Sequence, residues 1–134
     1  MTLLRPPVRV LALLLLVAAG ACGGSPVRGD AEVDIALRTD PDPPVAGPVA
    51  LSVRVSDLSW RPLNGAEVRL TATDPAGGEG PALATTGVGA GRYDASPVDL
   101  GPGEWSFTAR IELAGGTWAE ADFVVDVAEA DGGG

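Results

Sequence analysis

From residue 31 onward, apolar and polar positions alternate in short runs separated by Gly- and Pro-rich breaks. The clearest run is Gly101–Leu113: after a Pro-Gly turn, Trp105, Phe107, Ala109, Ile111 and Leu113 share one parity, and Glu104, Ser106, Thr108, Arg110 and Glu112 the other. A period of two predicts a half-buried strand, because successive strand side chains point to opposite faces. Six further strands are read in the same way. Ala31–Thr39 alternates through Val33, Ile35 and Leu37, and Val49–Ser56 through Val49, Leu51, Val53 and Val55. Ala66–Thr73 carries Val68 and Leu70 inward, Ala82–Thr86 is a short strand, and Arg92–Ser96 includes Tyr93. The last strand holds Phe123, Val125 and Val127 on one parity. Trp118 has the opposite parity, so either a bulge lies between Thr117 and Asp122 or Trp118 faces solvent.

The breaks between these runs explain why they end. Asp40-Pro-Asp-Pro-Pro44 stops pairing because proline lacks the ladder donor. Asn64-Gly65 and Gly87-Val-Gly-Ala-Gly91 supply turn chemistry. Seven short strands with turn signals between them and no helical period predict an all-β fold, a seven-stranded antiparallel immunoglobulin-like β-sandwich following a cleaved signal peptide. Residues 30–128 form that sandwich, and 129–134 a disordered tail.

The N-terminus has a different pattern. Arg5 and Arg9 precede an apolar run from Val10 to Ala21 that ends in small residues. This is a secretory signal over 1–21, too short for the ~20 residues a membrane-spanning helix needs. Ala19-Gly20-Ala21 suits ordinary signal peptidase, whereas Ala19-Gly20-Ala21-Cys22 resembles the lipobox of bacterial lipoproteins. That resemblance implies lipidation of Cys22. Cys22 is the single cysteine of the chain, so it has no internal disulfide partner. Residues 22–29 then form a flexible tether, its last seven residues reaching ~25 Å at most.

Charge removes some functions. The formal net charge is −9, with 18 acidic residues against 9 basic ones, all of them arginine. Such a chain is repelled by nucleic acid, which is held largely through Lys and Arg contacts. No nucleic-acid partner is expected. The absence of histidine removes Ser-His and Cys-His catalysis, and a domain whose strands are occupied by core leaves little chain for a cleft. The chain reads as a non-enzyme. Gly87–Gly91 lacks the lysine and following helix of a phosphate loop, and Asp40, Asp42, Asp94 and Asp99 lack calcium-loop spacing. No cofactor and no metal site are expected.

Two tryptophans stand outside the core pattern. Trp60 lies in a loop beside Arg61, and Trp118 breaks the parity of its strand. Tryptophan near arginine is a common hot-spot composition, so Trp60, Arg61 and Trp118 are candidate partner-binding residues, the alternative being that both indoles cover open ends of the sandwich.

Gly47-Pro-Val-x-Leu-x-Val-x-Val55, Pro62-Leu-Asn-Gly-Ala-Glu-Val68, Gly91-Arg-Tyr93 and Leu100-Gly-Pro-Gly-Glu-Trp105 occur in that order. Together they resemble the YtkA-like and FixH group of extracytoplasmic β-sandwich domains over about Asp42 to Leu113. The resemblance implies an accessory module at the outer face of a membrane, linked in some members to copper supply or cytochrome oxidase assembly. Copper sites favour His, Met or Cys. Here there is no His, the single Met is Met1 and the single Cys is Cys22, so fold and address are carried over and copper binding is not. The expected function is a lipid-anchored extracytoplasmic binding or assembly module, held to the membrane by its N-terminal lipid and meeting a protein partner there. The alternatives are a copper-trafficking accessory and a cell-wall or carbohydrate-binding module, the latter using Trp60 and Trp118 to stack on sugars.

Overall fold

The computed structural model describes residues 26–130. They hold nine strands: β1 (Arg28–Gly29), β2 (Val33–Asp40), β3 (Gly47–Asp57), β4 (Glu67–Thr73), β5 (Glu79–Gly89), β6 (Arg92–Ala95), β7 (Val98–Leu100), β8 (Gly103–Glu112) and β9 (Trp118–Val127). There is no helix among the described residues. The strands pair antiparallel in the order β1-β9-β8-β4-β5-β6-β3-β2, with β7 added against β3.

The sheet curls because β5 belongs to both halves. Its residues Glu79–Ala84 pair with β4, and Thr85–Gly89 pair with β6. Register shifts interrupt both ladders, between Thr71 and Thr73 and between Gly87 and Gly89. Such bulges bend a strand and increase its twist, which turns the chain from one layer into the next. Gly87 sits against the ring of Tyr93, where a Cβ would lie 3.3 Å from the ring carbons.

Alternation then places the core between the halves. Val49, Leu51, Val53 and Val55 of β3 meet Val68 and Leu70 of β4 and Phe107, Ala109 and Ile111 of β8 in one buried cluster. Trp105 and Phe107 stack with centroids 6.3 Å apart, and the Trp105 indole N–H donates to the Gly101 carbonyl. Phe123, two pleats from the end of β9, is half-buried against the same cluster. Tyr93 is 3% exposed, and its hydroxyl donates to the Leu63 carbonyl at 2.6 Å while accepting the Ala66 N–H at 3.1 Å. A single phenol thus ties the 63–66 turn to β6.

The strands number nine rather than seven. β7 is the lead-in to the Gly-Pro-Gly turn, too short to show a period. β1 occupies the last two residues of the expected tether: Arg28 pairs with Glu120 and Gly29 with Ala119. The Ala31 N–H donates to the Trp118 carbonyl, and Asp30 accepts the Trp118 N–H at 2.8 Å. β5 extends the expected Ala82–Thr86 strand at both ends, running through Gly80, Pro81 and Gly87 because a corner strand tolerates them. No bulge interrupts the β8–β9 ladder, so Trp118 lies on the outer side of its strand while Ala119 and Ala121 face inward. At the C-terminus, Ala128 still bonds the 44–46 segment. Residues 131–134 of the expected tail lie outside the described residues.

Candidate functional site

β3 ends at Asp57, whose position fixes the next four residues. Asp57 Oδ1 accepts the N–H groups of Ser59 at 2.8 Å and Arg61 at 2.9 Å. The Asp57 N–H donates to the Arg61 carbonyl and the Trp60 N–H to the Asp57 carbonyl. These bonds favour the ionised carboxylate: the Arg61 N–H, then that of Ser59 and the Arg61 guanidinium 3.6 Å away, hold Asp57 below the usual carboxylate range against its partial desolvation. The closed loop leaves Trp60 at φ 67°, in the left-handed region, with its residue 75% exposed. A bulky residue there is a steric outlier, costing roughly 1–2 kcal/mol. Arg61 turns back to Asp57 rather than reaching for the indole.

Beneath this loop lies a groove of about 480 Å³ on the outer face of β2 and β3. Asp34 and Ala36 of β2 and Arg54 and Ser56 of β3 supply its floor, and Trp60, Pro62 and Ala90 its walls. The strands are in register there, Asp34 opposite Ser56 and Ala36 opposite Arg54. Val33, Ile35, Val53 and Val55 are buried in the core, so the intervening residues must face out. Ser56 is nevertheless 7% exposed, because the loop returns over it with Pro62 bridging to Ser56. Its hydroxyl has no hydrogen-bond partner among the described residues, and neither Asp34 nor Arg54 is ion-paired among them. Trp60 was visible from the sequence; Asp34, Arg54 and Ser56 were not, because their convergence depends on cross-strand register.

Trp118 belongs elsewhere, on the outer face of the β4-β8-β9-β1 half. The structure therefore separates the two candidate tryptophans onto different layers. The Arg110 guanidinium sits 4.5 Å from the Trp118 ring centroid and donates to Glu120 at 3.1 Å and Glu112 at 3.4 Å. Arg28 continues the ladder to Glu120 at 3.1 Å and to Asp122 through two bonds of 3.0 and 3.2 Å. Thr108 donates to Asp122 at 2.7 Å, and Arg69 pairs with Glu67 at 3.1 Å. Trp118 is thus held within a charged lattice that fastens β1 to β9.

Asp122 makes that lattice sensitive to acid. The Arg28 side chain first, then the Thr108 hydroxyl, hold its carboxyl below the usual range. A carboxylate depressed on folding contributes stability above its unfolded value, and that contribution is lost as pH falls through its folded value. Asp122 is half exposed, so screening keeps the effect small. In thermal melts followed by circular dichroism, Asp122→Asn is expected to lower the melting temperature slightly at pH 7 and to flatten its fall between about pH 5 and pH 2.

Cys22 lies outside the described residues. Asp40 and Asp94 line one pocket, which Asp42 and Asp99 do not join, and no group of three or more His, Cys, Asp or Glu side chains placed to hold a metal occurs among the described residues. With no His in the chain, and its Met and Cys at positions 1 and 22, the donors present do not fit a copper centre. Gly87–Gly91 forms the β5–β6 hairpin, where the Gly91 N–H donates to the Asn64 side chain.

The described residues define an all-β module, one curled antiparallel sheet with a grooved outer face on one half and a charged outer face on the other. Among solved structures, the crystal structure of CopC from Methylosinus trichosporium OB3b is similar, with a TM-score of 0.53 and 13% identity, covering 76% of this chain and 97% of that chain. The similarity is one of fold. No protein-family model matches the chain, so the YtkA-like and FixH resemblance rests on the quoted motifs. No curated protein matches it either.

Proposed function

We propose that this chain is an extracytoplasmic binding or assembly module, anchored to a membrane by a lipid on Cys22 and working without a catalytic site. The observation that carries this reading is Trp60: a large indole kept mostly exposed, on a backbone conformation that suits glycine or asparagine better, beside a groove whose polar groups are unpaired among the described residues. Strain and apolar exposure both oppose folding, and strained residues cluster at ligand sites. The secretory leader supports the extracytoplasmic address, and the net charge of −9 argues against nucleic acid. A copper-trafficking role is the second reading, which the likeness to CopC fits at the level of fold. In that reading the metal ligands come from the partner.

Cys22→Ser is expected to move the protein from the membrane to the soluble fraction; retention at the membrane would remove the anchor. Added back to envelope fragments, this soluble form is expected to co-sediment with them, and the further change Trp60→Asn to abolish that. Asparagine tolerates the left-handed region, so the same change keeps stability or raises it by up to about 1 kcal/mol. Equal co-sedimentation with and without Trp60 would overturn the reading.

A further inference from the structure

The groove under Trp60 carries more chemical information than its aromatic wall. Its volume of about 480 Å³ lies within the range of small-ligand sites. Its polar groups form a mixed set: Asp34 only accepts hydrogen bonds, Arg54 only donates them, and Ser56 does both. The two charges cancel, and neither is ion-paired among the described residues. The Ser56 hydroxyl, 7% exposed and without a partner among the described residues, lines the groove floor. A buried hydroxyl left unpaired disfavours folding unless something else bonds it.

We propose that this groove binds a neutral saccharide of one or two rings, the apolar face of a ring stacking on the Trp60 indole. The inference rests on the reading of Trp60 as the contact residue. Sugar hydroxyls both donate and accept, so neighbouring hydroxyls satisfy Asp34, Arg54 and Ser56 together. An anion would face Asp34 and a cation would face Arg54, each at a cost. An extended peptide would need free backbone groups, and those that the edge strand β2 leaves unpaired point along the sheet, away from β3, rather than up into the groove on its face. Trp60, Pro62 and Ala90 give the ring an apolar wall while the polar groups stay on the floor.

The test is a titration of the full chain, purified in a detergent without sugar headgroups, with cellobiose, with di-N-acetylchitobiose and with digalacturonic acid, followed by tryptophan fluorescence. At least one neutral disaccharide is expected to give a saturable blue shift in the millimolar range, and the acidic one none. Trp60→Asn is expected to abolish the shift. Ser56→Ala is expected to weaken binding about tenfold without lowering the melting temperature, since the hydroxyl it removes makes no hydrogen bond among the described residues. Saturable binding that survives Trp60→Asn, or no binding of either neutral sugar, would overturn the proposal. If envelope co-sedimentation still depends on Trp60 and is lost when the envelopes are treated with protease, the saccharide assignment fails while the binding-module reading stands. If Trp60 matters in neither assay, both fail.

Discussion

Phe107→Ala is expected to remove about 3–5 kcal/mol of stability, the range for emptying a fully buried phenylalanine site. Phe107 is completely buried in β8, opposite Ala72 of β4 and Phe123 of β9, and stacked on Trp105. The site has little means of collapse. Its neighbour on β4 is an alanine, and the ladders on either side are continuous, so the strands cannot close over the void. Domains of this size are stable by only about 5–15 kcal/mol. The loss should appear as a melting temperature roughly 15–30 °C lower, and urea titration would give the free energy directly. A change below about 1 kcal/mol would show that the cluster is not centred on β8.

Gly91→Ala tests the other half of the molecule, where the loop that shapes the groove is fastened. Gly91 has φ 73°, and a Cβ there would lie 2.5 Å from the Val55 carbonyl oxygen and 3.0 Å from Pro62. That oxygen cannot withdraw freely, because it accepts the Leu63 N–H, while the Gly91 carbonyl accepts the Val55 N–H. Left-handed strain and the collision together are expected to cost about 2–4 kcal/mol. Gly89→Ala provides the comparison: its φ is 97°, but a Cβ would meet nothing within 4 Å. It should lose only the backbone contribution, roughly 1–2 kcal/mol. Equal losses in the two variants by calorimetry would show that the Val55–Gly91 contact has slack. Because Pro62 forms a groove wall, Gly91→Ala should also weaken ligand binding, whereas Gly89→Ala should not.

These two residues show what could be read from the sequence and what could not. Phe107 was legible because burial on one face imposes a period of two, and nothing but the local sequence is needed to see it. Tyr93 was legible as a member of the Arg92–Ser96 strand, whereas its bonds to Leu63 and Ala66, about thirty positions away, were not. The pairing of β1 was not, because Arg28 and Gly29 are placed by Glu120, Asp122 and Ala119, ninety or more positions away along the chain. The parity of Trp118 left two solutions open, and only the unbroken β8–β9 register selects the outward one. At the groove, Trp60 announced itself by composition. Asp34, Arg54 and Ser56 looked like ordinary outward positions, and became a site only when β2 met β3 in register and the loop folded back.

The ladder across β4, β8, β9 and β1 has one more consequence, which concerns the medium around the protein. Every cation in it is arginine, and the carboxylates beside Arg28 and Arg110 raise the affinity of those guanidinium groups for their protons further. The chain has no histidine or lysine at all. The folded domain therefore carries no side-chain type that ordinarily changes charge between about pH 5 and pH 8. A medium that acidifies or turns alkaline can drift through that interval. Across such drift this face presents an unchanging electrostatic image, and β1 stays fastened to β9 by the same ion pairs throughout.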